Sequence, residues 1–208
     1  DLLALGLDWS DAVRSPTGLL GWGLGVELGT TDRDHDYVKL SLRARTAREA
    51  MGGDLRLSAQ FRAGTLAAMS GRSNIGDRSV LGAASVRGFD YGGFGPRDLA
   101  VTGAPVLGGN TYATLRFDVQ APELLGADVP VMPGLFLDVG SLWGLDDAGG
   151  GVAGAAPVDD SAHLRASVGV SAALRTEYGP IMLNLSHPIA RETYDRTRPI
   201  SFSFATRF

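Results

Sequence analysis

His163-Leu-Arg-Ala-Ser-Val-Gly-Val-Ser-Ala-Ala-Leu-Arg175 alternates in character along its length. Leu164, Ala166, Val168, Val170, Ala172 and Leu174 fall on one side, while His163, Arg165, Ser167, Gly169, Ser171 and Arg175 fall on the other. A period of two belongs to a strand, whose successive side chains point to opposite faces. The stretch also exceeds the roughly 9–11 residues that a tilted strand needs to cross a bilayer.

The same rhythm recurs outward in both directions, in about nine segments in all. Residues 2–9 run into the Ser-Pro-Thr-Gly turn at 15–18. Further segments lie at 19–29, 37–45, 55–63, 111–119, 134–142, 181–186 and 200–208. The polar register carries Arg43, Arg45, Arg56, Arg62, Arg116, Asp118, Asp138, Arg165 and Arg175. That is too much charge for a packed core. Two all-β architectures satisfy the pattern: a soluble sandwich with solvated outer faces, or an antiparallel membrane barrel with a wet lumen. Connections at Gly52-Gly53 and Tyr178-Gly179-Pro180 are tight, whereas 66–110 and 144–162 are long. Short turns on one side and long loops on the other are how outer-membrane barrels are built.

Composition narrows the chemistry. The 208 residues carry a net charge of −4, which offers nucleic acid no electrostatic footing. Without cysteine there is no disulfide, thiol nucleophile or thiolate metal site. No run approaches the roughly 20 apolar residues of a transmembrane helix. His35, His163 and His187 lack metal-ligand spacing. Gly21-x-Gly23-x-Gly25 lies inside a strand with no helix after it, and Gly92-Gly93-Phe94-Gly95 lacks the lysine of a phosphate loop. No Gly-x-Ser-x-Gly elbow is present. Neither an enzyme, a cofactor nor a metal is expected. The chain opens on Asp1 with no signal peptide, and is expected to be a mature protein, an excised domain or a fragment.

Three motifs decide between the architectures. The long loop carries Ser85-Val86-Arg87-Gly88-Phe89, then Gly92-Gly93-Phe94-Gly95-Pro96-Arg97-Asp98, then Leu107-Gly108-Gly109-Asn110. Phe136-Leu-Asp138-Val-Gly140-Ser-Leu-Trp143 follows, and the chain closes on Ile200-Ser-Phe202-Ser-Phe204-Ala-Thr-Arg-Phe208. In this order they resemble the Val-Arg-Gly-Phe/Tyr loop, the Gly-x-Gly-Pro-Arg-Asp element, the Phe-x-Asp-x-Gly-x-x-Trp strand and the terminal aromatic strand of the BamA family. The resemblance spans nearly the whole chain and is weaker before about residue 55.

It implies an outer-membrane barrel of sixteen strands with periplasmic POTRA domains. Residues 1–208 would be its C-terminal part, with 66–110 folded into the lumen and the earlier strands and POTRA domains absent. Nine strands cannot close such a barrel, so an open or curled sheet is expected. The implied activity is folding and insertion of other barrel proteins through a lateral seam. The implied partners are unfolded outer-membrane proteins, accessory assembly lipoproteins and outer-membrane lipid. Arg87 would reach Asp138. The family often carries a second acid on the preceding strand, where this chain aligns Arg116, with Asp118 two residues on and on the same face. Phe202, Phe204 and Phe208 would form the seam and insertion signal. A TamA-like or two-partner-secretion transporter shares the Arg87 motif and is the alternative; a soluble sandwich binding module is the remaining one.

Overall fold

A computed structural model describes residues 2–204 except 17, 32–34, 127, 147–157, 178 and 180; for Leu2, Thr31, His35 and Phe204 only the backbone is described. Among the described residues nine strands form one antiparallel meander: β1 (Leu2–Ser15), β2 (Gly18–Thr31), β3 (His35–Ala50), β4 (Leu55–Ala68), β6 (Thr111–Gln120), β7 (Val131–Trp143), β9 (Arg165–Leu174), β10 (Ile181–Ala190) and β11 (Ile200–Phe204). Two short strands, β5 (Arg97–Asp98) and β8 (Val158–Asp159), pair with each other outside that sheet. β1 and β11 are its two edges, so the sheet stays open.

Several strands outrun their alternating segments. β1 continues to Ser15, β3 to Ala50 and β4 to Ala68. The ladder continues to these ends although the alternation does not: Asp11 and Arg48 fall on the apolar register, and Leu66 and Ala68 on the polar one. β10 runs beyond Ser186 through Pro188, where a register shift against β9 accommodates the missing amide donor. The Gly-rich part of 144–162, Tyr178, Pro180 and the terminal residues through Phe208 lie outside the described residues.

The two faces differ sharply. One displays Leu7, Leu135 and Phe202, 74%, 60% and 67% exposed, together with most of the other large apolar side chains. An apolar surface of that extent marks a membrane or a partner rather than water. Among the described residues no second sheet packs on it, which removes the sandwich. The other face is covered over β6 to β10 by the connection 69–110. Here Leu81, Val86, Phe89, Phe94 and Leu142 form the core, with Tyr112 against it. Phe89 and Phe94 meet edge to face at 5.1 Å, a favoured aromatic geometry. The connection is hydrogen-bonded rather than loose: Ser79 and Gly109 exchange two backbone bonds, and Leu66 donates to the Asn110 carbonyl. Asp146 accepts from the Ser73 amide and the Asn110 side chain. Those bonds hold its carboxyl below the ordinary range despite burial, which acts the other way.

Candidate functional site

The site is built where the long connection touches down on β6, β7, β9 and β10. A turn brings the Ser85 and Val86 amides onto the Gly82 carbonyl. Val86 then packs, fully buried, over Gly140 of β7, where a Cβ would lie 2.7 Å from a Val86 methyl. Gly88 follows with φ +91°, in the left-handed region that side chains avoid, and its Cα faces Ser167 and Ser186. Between these two close approaches Arg87 is forced inward.

Its guanidinium forks onto Asp138, with Nε at 2.7 Å from Oδ2 and Nη2 at 2.6 Å from Oδ1. The Arg87 amide donates to the same Oδ2 at 2.9 Å. Nη1 donates to Asp118 Oδ1 at 2.7 Å and, at 3.5 Å, to Asn184 Oδ1. The guanidinium plane lies 3.7 Å from the centre of the Phe136 ring, a cation–π contact. Ser167 donates its hydroxyl to the Arg87 carbonyl. Arg87 is 2% exposed and Asp138 0%. Burial draws the Arg87 pKa down, but the bonds from Asp138 and Asp118 outweigh it and set the value above the ordinary one. The charge is therefore permanent. Removing one member of such a buried pair strands the other charge and costs about 3–5 kcal/mol.

Register explains which acid serves as second partner. Arg116 sits directly opposite Asp138, with its Nε 3.6 Å from Oδ2, and donates Nη1 to the Ala84 carbonyl. Asp118 sits opposite Phe136, one step nearer the short turns, where the Nη1 arm of Arg87 ends. Two cations and two carboxylates thus form one cluster.

Arg97 is elsewhere. Completely buried, it gives Nη1 to the Ala104 carbonyl and Nη2 to the Gly92 carbonyl, bracing the connection from within. Burial and the nearby Arg196 lower its pKa. Pro96 accepts from the Leu107 amide, Asp98 caps the Ala100 amide, and Gly95, with φ +116°, passes close to Leu142. These residues shape the loop but do not touch Asp138. Gly88 and Phe89 look the other way, toward the segment before β11. Arg198 donates its amide to the Gly88 carbonyl, Phe89 bridges Thr197, and Asp90 and Gly93 each exchange one backbone bond with Arg196. In β11, Phe202 lies on the apolar face opposite Leu183, and the Phe204 backbone pairs with Ile181. Phe208 is outside the described residues.

Ser167 and Asn184 were not singled out from sequence, and Phe136 was read only as part of the Phe-x-Asp-x-Gly motif. Phe136 shares the face of Asp138 two residues away, which was a usable signal. Ser167 and Asn184 are small polar residues on the inward register, indistinguishable there from their neighbours. A second buried group was also missed: Arg165 forks onto Asp195 at 3.0 and 3.2 Å, and Tyr194 donates to Asp159 at 2.7 Å. Both acceptors come from long loops that carry no periodic signal. Among the described residues, no group of acids and histidines is arranged to hold a metal ion.

Comparison with known proteins agrees with this architecture. The Omp85 superfamily domain matches residues 7–208. The outer membrane protein assembly factor BamA of Neorickettsia risticii (strain Illinois) is 29% identical over 192 residues, which is 90% of this chain and 25% of that protein. The chain thus spans about a quarter of the length of this curated relative. The crystal structure of BamA from Haemophilus ducreyi lacking POTRA domains 1–3 superposes with a TM-score of 0.74 at 17% identity, covering 97% of this chain and 41% of that one. The chain belongs to the Omp85 superfamily and to the bacterial outer membrane.

Proposed function

We propose that residues 1–208 are the C-terminal part of a barrel that folds and inserts other outer-membrane β-barrel proteins. The observation that carries this reading is the buried Arg87–Asp138–Asp118 cluster, which pins a long inward connection to one face of an open nine-strand sheet. In this reading 66–110 lies in the lumen, and the rest of the protein supplies the remaining strands and the POTRA domains. Edge strand β11 is one side of the seam. An unpaired edge in lipid leaves amides and carbonyls without partners, which is costly. A substrate strand entering there is held by backbone pairing, as in other strand-addition complexes. Substrate folding supplies the free energy, so the work is assembly and involves no covalent chemistry. Unfolded barrel proteins, accessory lipoproteins and the bilayer are the partners.

The test is reconstitution of the intact protein into liposomes, following the folding of an unfolded barrel substrate. The wild type is expected to accelerate folding well above empty liposomes, and Arg87→Glu to lose most of that acceleration. Equal rates with wild type and empty liposomes would end the reading.

A further inference from the structure

Among the described residues the polar face of the sheet is only partly covered. Over β2, β3 and β4 these residues leave a groove of about 760 Å³. Its floor explains the alternating glycines of β2. A Cβ at Gly23 would stand 2.6 Å from Arg43 Nε, and one at Gly21 would stand 3.2 Å from Arg45 Nε. Both arginines of β3 therefore lie across β2 toward β1. Arg43 finds Asp8 there, at 3.1 Å. Arg45 makes the equivalent reach toward Ala12, which has nothing to offer it.

The charge then accumulates. Arg43 is the direct cross-strand partner of Arg62 on β4, an arrangement that ordinarily destabilises a sheet. Gln60 stands between Arg45 and Arg116 in the neighbouring row. Arg45 and Arg62 are exposed, and among the described residues neither guanidinium has a hydrogen bond or ion pair. Arg45 and Gln60 also line the cavity that reaches Arg87 and Asp118, so the groove is continuous with the site above.

We infer that this groove docks an acidic, extended segment of a polypeptide, with alternate carboxylates on Arg45 and Arg62. The spacing selects the occupant. Arg45 and Arg62 are diagonal neighbours on paired strands, about 7–8 Å apart, close to the roughly 6.7 Å same-face spacing of an extended chain. Two carboxylates at i and i+2 match it, and each can take a guanidinium in a bidentate pair. A single phosphate is too compact to engage both rows. The inference rests on the proposal that the protein handles unfolded polypeptides, and names the kind of segment the groove would hold.

The test uses the intact protein in detergent and fluorescence anisotropy. Four probes are compared: a neutral Ser/Thr peptide with two Glu at alternate positions, its isomer with the two Glu adjacent, its Lys counterpart, and inorganic phosphate as competitor. The alternate-Glu peptide should bind about tenfold more tightly than the adjacent isomer, and the Lys peptide should not bind. Arg45→Gln with Arg62→Gln should weaken it about tenfold or more, while Arg45→Lys should fall between. Equal affinity for both Glu isomers, displacement by phosphate at the peptide's own concentration, or binding unchanged in the double variant would overturn the inference. Substrate folding is measured on the same preparations. A protein that binds the peptide but accelerates no folding keeps the groove and loses the insertion reading; one that accelerates folding and ignores the peptide does the reverse.

Discussion

Arg87 is held on three sides at once: by the Asp138 fork, by Asp118, and by the Phe136 ring beneath it. A lysine would keep the charge but could satisfy only part of this geometry, since an ammonium has no planar fork and stacks poorly. Arg87→Lys is therefore expected to retain only part of the stability lost in Arg87→Ala. That loss should be about 3–5 kcal/mol, measured by urea unfolding of the detergent-solubilised protein. Gly140 gives an independent check on how closely the loop is seated. A Cβ there would meet Val86 at 2.7 Å and cannot be accommodated without lifting the loop. Gly140→Ala should cost about 1–3 kcal/mol and increase protease cleavage within 82–90. An unchanged cleavage pattern would mean the loop has room to spare.

At the scale of elements, the loops after β7 and β10 are tied together by ionic and phenolic contacts. Asp159 accepts from Tyr194, the Ser161 amide and His163, and His163 also faces Glu192. Burial pushes the Asp159 carboxyl up, but those donors outweigh it and leave it below the ordinary range. A carboxyl whose folded value is depressed stabilises the fold above its unfolded pKa of about 4, and that contribution is lost as pH falls through the lower folded value. Hydrogen exchange in 158–163 and 191–197 should accordingly quicken on acidification below about pH 4. Tyr194→Phe removes the main donor, and should cost about 1 kcal/mol at neutral pH while shrinking the acid sensitivity. The same acid response in wild type and Tyr194→Phe would place the sensitivity in another group.

This element scale also separates what alternation reveals from what it conceals. Period two over long stretches announced β2, β3, β4, β6 and β7, because a strand exposed to hydrocarbon on one face and polar groups on the other cannot vary its register. It stopped short at the ends of β1 and at Pro188 of β10, where composition turns irregular although the backbone continues in the ladder. The pairing of β5 with β8 has no sequence signal, being two residues joined across loops. Asp118 and Arg116 share one face, so alternation alone could not say whether the Asp118 carboxylate reaches Arg87. The answer depends on how far the loop descends, and that is set by Val86 on Gly140 and by the turn at Gly88.

For the molecule as a whole, an open sheet with an apolar outer face and a loop-lined inner face accounts for the sequence's oddest feature, a strand register thick with arginine. Part of that charge is neutralised locally, Arg43 by Asp8, Arg116 by Asp138 and Arg165 by Asp195. Arg45 and Arg62 face the groove instead. Both edges, β1 and β11, present backbone groups that lipid cannot satisfy. The 1–208 chain by itself is therefore expected to self-associate or remain partly exchange-labile at β1, as read by mass photometry and hydrogen exchange in detergent. A stable, fully protected monomer would contradict the open-edge account.

The most direct test of the central claim, that a buried Arg87–Asp138 pair locks the inward connection, is a double-mutant cycle on the intact protein. Arg87→Ala, Asp138→Ala and the double variant are compared by urea unfolding. The account predicts that the double variant is little worse than either single one, giving a coupling energy of several kcal/mol, within the range of about 1.5–7 kcal/mol known for close buried charge pairs. Simple additivity of the two losses would contradict it.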